Sequence, residues 1–134
     1  MSRVHILSWS VTNIVMLAAV AILGGEASAQ DTHEVKAGEE VRLAVLGSMK
    51  ANCEGNPAPE VRVAGPVALG SIRIASAKLK TNRFPKCPDV ELPVRVIFYK
   101  AAPNVSGSDL VTLEISESTG SVRTQTFNIR INGK

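Results

Sequence analysis

Aromatic side chains are scarce in this chain: one Trp, one Tyr and three Phe make up 4% of its 134 residues. Histidine and cysteine number two each, and no apolar run approaches the ~20 residues that span a bilayer as a helix. Each shortage excludes something. Few aromatics leave no stacking platform for sugars or nucleobases, and the core must be built from Val, Ile and Leu, each contributing ~1.5–3 kcal/mol when buried. Few histidines, with no H-E-x-x-H, P-loop or G-x-S-x-G, leave the familiar routes to metal, phosphoryl or acyl-transfer chemistry without their residues.

The N-terminus reads as a targeting segment. Arg3 and His5 precede an apolar stretch from Val11 to Gly25, broken at Thr12 and Asn13, and Ala27-Ser28-Ala29 follows as a small-x-small site. This order is that of a secretory signal peptide, so residues 1–29 are expected to be cleaved, leaving residues 30–134 as one domain. The continuous core from Ile14 to Leu23 is short for a retained anchor, and no Cys follows the site to accept a lipid. The mature chain is expected in the periplasm or outside the cell, without stable membrane insertion. Cleavage removes Arg3, Glu26 and the one tryptophan, Trp9, and keeps the formal charge at +3.

In an oxidising compartment the two cysteines, Cys53 and Cys87, are expected to form a disulfide. The alternative, a reactive thiol pair, lacks the C-x-x-C spacing that tunes a thiolate. From Gln30 onward hydrophobic periodicity is two rather than 3.6. Val41, Leu43 and Val45 alternate, as do Val61 and Val63, Ile72 and Ile74, Val111, Leu113 and Ile115, and Phe127, Ile129 and Ile131. Residues 75–80 place Leu79 on the parity opposite to Ile74, which predicts a bulge or bend near Ser76. Leu92 to Tyr99 is apolar on both faces and is expected to be a central strand with Pro93 at its start. Residues 30–40 are expected to be a loose edge strand or unstructured. Pro- and Gly-containing turns recur between these runs, and about seven short strands so punctuated indicate an all-β sandwich.

Tyr99-Lys-Ala-Ala-Pro-Asn-Val-Ser-Gly-Ser-Asp109, followed by two alternating runs, resembles bacterial immunoglobulin-like and cadherin-like domains. Gly107 and Asp109 match their Gly-x-Asp corner. Pro103 is displaced, and Val111 and Leu113 stand where aromatics are common. The resemblance covers the C-terminal third and implies an immunoglobulin-like β-sandwich of bacterial origin; such folds host many functions. Cadherin-like calcium sites need clustered acids, which Asp109 alone does not supply, so it is read as capping a nearby N–H in a turn.

Lys78, Lys80, Arg83 and Lys86 form the one local charge bias, with no acid among them. They read either as a solvated strand edge guarded against pairing or as the contact for an anionic partner. Nucleic acid is not expected as a partner, because Phe84 is the single interleaved aromatic and the compartment is wrong. His33 lies near the mature N-terminus, away from any evident partner. The acid pairs Glu39-Glu40, Asp89-x-Glu91 and Glu114-x-x-Glu117 are the remaining candidates for hydrolysis. The sequence therefore leads to an exported, non-catalytic binding module of the bacterial envelope, without cofactor or metal. Its expected partner is a protein or an anionic envelope polymer. The alternative is a small secreted hydrolase acting through paired surface carboxylates.

Overall fold

A computed structural model describes residues 31–133; the expected signal peptide lies outside the described residues. The chain is all-β. Its seven strands are β1 (Asp31–Lys36), β2 (Glu40–Leu46), β3 (Glu60–Val63), β4 (Gly70–Thr81), β5 (Val90–Ala101), β6 (Gly107–Ser116) and β7 (Val122–Asn132). They form two sheets, ordered β1-β7-β6-β3 and β2-β5-β4. Lettered A to G along the chain, strands B, E and D part from C, F and G as they do in immunoglobulin-type sandwiches. Strand A lies beside G, with which it runs parallel.

The alternating residues supply the core. Ile97, Tyr99 and Ala101 of β5 meet Val111, Leu113 and Ile115 of β6 and Phe127, Ile129 and Ile131 of β7, with Val35, Leu43 and Leu46 filling the flanks. Tyr99 and Phe127 are the largest fully buried side chains, so two of the few aromatics occupy the centre. The β6–β7 hairpin and the central place of β5 agree with the sequence pattern. Residues 31–36 are an ordered edge strand rather than a loose one, because β7 supplies a continuous ladder from Phe127 to Asn132.

Two local expectations are corrected. β4 carries no bulge at Ser76: it pairs with β5 without interruption from Gly70 to Thr81. The change of apolar parity has another cause. Ile72 and Ile74 share a face with Tyr99 and Ile97 toward the opposite sheet, whereas Ala77 and Leu79 share the other face with Val94 and Leu92. On that outer face Val90, Leu92 and Val94 are buried with Cys87 and packed by Met49 and Cys53, so β5 is covered on one face at each end, while β4 beside it stays half-buried or exposed throughout. Pro93 lies within β5 rather than at its start, opposite Lys78. It is tolerated there because the ladder to β2 ends at Leu46 opposite Arg95, before Pro93 is reached.

The irregularity instead falls on β2. Arg42 pairs with Phe98 and Ala44 with Ile97, leaving Leu43 as an extra residue. Phe98 and Val96 lie on one face of β5, so their partners Arg42 and Val45 both point to the outer face of the sheet although three positions apart. Without the bulge they would face opposite sides.

Candidate binding site at the disulfide-tied pole

Cys53 and Cys87 are joined by a disulfide, with Cα atoms 5.4 Å apart. The bond ties the β2–β3 loop, residues 47–59, to the β4–β5 loop, residues 82–89. The first loop folds on itself through a bridge between Met49 and Gly55 and hydrogen bonds from Lys50 N to Glu54 O (2.8 Å) and Asn56 Nδ2 to Ser48 Oγ (3.0 Å). It lies so close to β5 that a Cβ on Gly55 would stand 2.8 Å from Pro93 Cδ. The second loop turns through a hydrogen bond from Cys87 N to Phe84 O (3.0 Å). Cys53 (φ 68°) and Asp89 (φ 56°) both hold left-handed backbone, a strained conformation that the surrounding tether fixes.

Two hollows flank the β4–β5 loop. One, of about 810 Å³, is lined by Arg42 and Val45 of β2, Leu79, Lys80 and Thr81 of β4, Asn82, Arg83 and Asp89 of the loop, and Glu91 of β5. The other, of about 580 Å³, is formed by Gly47 to Ala51 on one side and Phe84 to Cys87 on the other. The four bases singled out in the sequence are thereby divided. Lys80 and Arg83 enter the first hollow and Lys86 the second. Lys78 lies on the ribbon, its Nζ 3.7 Å from Glu91 Oε1. Arg42 and Lys50 join the two groups from elements 30 or more residues away in the chain, and no pattern in the linear sequence marks them.

The acid pairs behave differently from one another. Glu40 accepts two hydrogen bonds from Arg73, at 2.7 and 3.3 Å. That contact holds its carboxyl below the ordinary range, against a smaller opposing effect of desolvation. Arg73 also stacks 4.0 Å over the Phe98 ring. Glu114 pairs with Arg62 (2.8 Å) and Glu117 with Arg123 (3.5 Å), so this pair is split between two arginines. Asp89 and Glu91 alone line a common hollow. His33 on β1 tilts against Phe127 with ring centroids 5.8 Å apart. Among the described residues, no group of three or more His, Cys, Asp or Glu side chains is placed to hold a metal ion.

Asp109 is buried at the start of β6 and is fully engaged. Tyr99 Oη donates to its Oδ2 at 2.6 Å, Leu69 N to Oδ2 at 2.9 Å, and Ala68 N and Leu110 N to Oδ1 at 3.2 and 2.9 Å. The corner therefore caps backbone N–H groups as the sequence reading holds, and it also locks the β3–β4 connection to the core. Burial pushes the carboxyl up, but hydrogen bonds from Tyr99, Leu69, Ala68 and Leu110 together hold it below its ordinary value. Burial, and then the bond to Asp109, raise the Tyr99 phenol. This is a structural staple at a distance in the chain from the residues of the two hollows.

No protein-family model matches the chain, and no curated protein matches it either.

Proposed function

We propose that this chain is an exported binding module of the bacterial envelope, periplasmic or secreted and immunoglobulin-like in kind. It acts without catalysis and takes an anionic partner, a protein or an envelope polymer, at its disulfide-tied pole. The observation that carries the reading is the gathering of Arg42, Lys80 and Arg83 on one side of the β4–β5 loop and Lys50 and Lys86 on the other. None of these five bases forms an ion pair among the described residues, whereas Arg62, Arg73, Lys78, Arg123 and Arg130 each do. A disulfide-held loop presents its charges at little ordering cost. The disulfide also suits an oxidising compartment, and among the described residues no helix is long and apolar enough to cross a membrane.

The test is elution from an immobilised polyanion such as polyglutamate or heparin under a salt gradient. Replacing Arg42, Lys80 and Arg83 with Glu is expected to bring elution to markedly lower salt, since exposed charges act over ~8–10 Å at physiological ionic strength. A control with Lys36, Lys100 and Arg130 changed to Glu carries the same net charge away from the pole. Equal loss in both variants would reduce the effect to net charge and end the proposal.

A second reading rests on Asp89 and Glu91, which share the first hollow. Paired carboxylates are the machinery of glycoside hydrolysis, but there one is enclosed so that it keeps a proton. Both of these acids are exposed, and Glu91 lies near Lys78 as well. Binding is therefore preferred. Turnover of chromogenic glycosides that disappears in Asp89→Asn and Glu91→Gln variants would reverse the preference.

A further inference from the structure

The two hollows differ in chemistry. The first mixes three bases with two acids around a partly apolar floor. The second holds Lys50 and Lys86, no acid, and a wall made by Met49, Ala51, Phe84, Pro85 and Cys87. Phe84 is 38% exposed here, an uncommon position for one of three phenylalanines in a chain so poor in aromatics. A polymer of repeated charges has no use for such a wall, and a cation would be repelled by its rim. An anion with a hydrocarbon tail satisfies both parts. The aliphatic stems of Lys50 and Lys86 extend the apolar wall while their ammonium groups meet the head. At about 580 Å³ the hollow falls in the ~300–1,000 Å³ range of small-molecule sites.

We propose that the hollow between residues 47–51 and 84–87 binds a single-chain anionic amphiphile, its tail against Met49, Ala51, Phe84 and Pro85 and its carboxylate or phosphate head between Lys50 and Lys86. The site is built before the ligand arrives. One wall is fixed by the Met49–Gly55 bridge, the other by the Cys87-to-Phe84 turn, and the disulfide joins them. This inference rests on reading the pole as a binding surface, but it does not require the polyanion contact at Arg42, Lys80 and Arg83.

The experiment is displacement of dansyl-labelled undecanoic acid from the oxidised protein, with all competitors held below their micelle-forming concentrations. Dodecanoate and dodecyl phosphate are expected to displace the probe saturably at one site per chain; their relative strength tells which head is preferred. Dodecylammonium is expected to fail, because its head meets two like charges. Lys50→Glu with Lys86→Glu is expected to weaken displacement about tenfold or more, as loss of charge-assisted contacts does. Ala51→Trp should block the hollow sterically with the charges intact, and circular dichroism confirms that each loop variant is folded. The Arg42, Lys80, Arg83 triple variant is expected to retain the amphiphile, so failure of the polyanion reading and failure of this one are separate results. Equal binding of dodecylammonium, a signal that appears only with micelles, or binding to anionic vesicles without binding of monomers would each overturn the proposal, the last in favour of docking on a lipid surface.

Discussion

Replacing Tyr99 with Phe removes one oxygen from the middle of the protein and tests the staple between β5, β6 and the β3–β4 connection. The phenol donates to Asp109 Oδ2 at 2.6 Å, and the ring is fully buried. A hydrogen bond to an ionised group contributes about 1.5–3 kcal/mol net. Asp109 keeps three backbone donors in the variant, which moderates the loss, and Phe preserves the packing of the ring. The expected cost is therefore about 2 kcal/mol, out of the ~5–15 kcal/mol that holds such a domain. At roughly 4–8 °C per kcal/mol for a domain of this size, Tm should fall by about 8–16 °C at neutral pH. Circular dichroism melts and urea titrations measure it. A loss below about 0.5 kcal/mol, the range of ordinary surface substitutions, would refute the idea that the carboxylate depends on the phenol.

The same pair sets the expected pH dependence. The folded Asp109 carboxyl lies below its ordinary value, so its contribution is fully present above the unfolded value of ~3.9 and is lost as pH falls through the folded one. The Tyr99 phenol is raised, so its contribution holds below the unfolded value of ~10 and is lost as pH rises through the folded one. Stability should be level between these limits and fall outside them. Asp109→Asn should flatten the acid limb, and Tyr99→Phe should remove the phenol's share of the alkaline one. An acid limb unchanged in Asp109→Asn would place the sensitivity elsewhere.

Gly70→Ala should destabilise by about 1–3 kcal/mol, as overpacking does, because its Cβ would stand 2.6 Å from Tyr99 Cζ and 2.7 Å from Tyr99 Oη; a melt matching wild type would contradict that contact. Cys53→Ser with Cys87→Ser should cost about 3–4 kcal/mol for a bridge spanning 34 residues. The same variant should lose the dansyl probe at the apolar hollow while the sandwich still folds, since the main core contains neither cysteine.

What could be read from the sequence follows from what is local. A period of two and β-branched runs identified the strands, and apolar residues on both faces marked β5 as central, because each of those signals is carried by adjacent residues. The disulfide was legible from two cysteines, one of which sits in a turn that no strand claims and the other in a Pro-flanked loop. Parity at Ser76 misled for a related reason. Alternation reports which face is covered, and a change of covered face gives the same pattern as a break in the strand. Here the cover over β5 changes from the opposite sheet at Ile97 and Tyr99 to the tied loops at Leu92 and Val94, and β4 follows with its backbone unbroken, Ile72 and Ile74 on the first face and Leu79, itself left exposed, on the second. The partnership of Tyr99 with Asp109 was hidden too, since a buried carboxylate and an exposed turn residue look alike until the donors around them are placed.

The first hollow needed one further fact that no single segment carries. Arg42 reads in sequence as the solvent-facing residue of an alternating strand whose apolar positions are Val41, Leu43 and Val45. In the folded chain Leu43 is the extra residue of a bulge, buried in the core, and the register beyond it shifts by one. Val45 is thereby turned outward to the side that Arg42 occupies and is left 39% exposed. The bulge thus places a cation and an apolar side chain together on the outer face of β2, where both line the hollow that Lys80 and Arg83 also line. A bulge beside a lined concavity re-aims side chains at the expense of a regular ladder. Its position here, on the strand that leads directly into the disulfide-tied loop, sets the apolar Val45 beside the unpaired Arg42 at this pole.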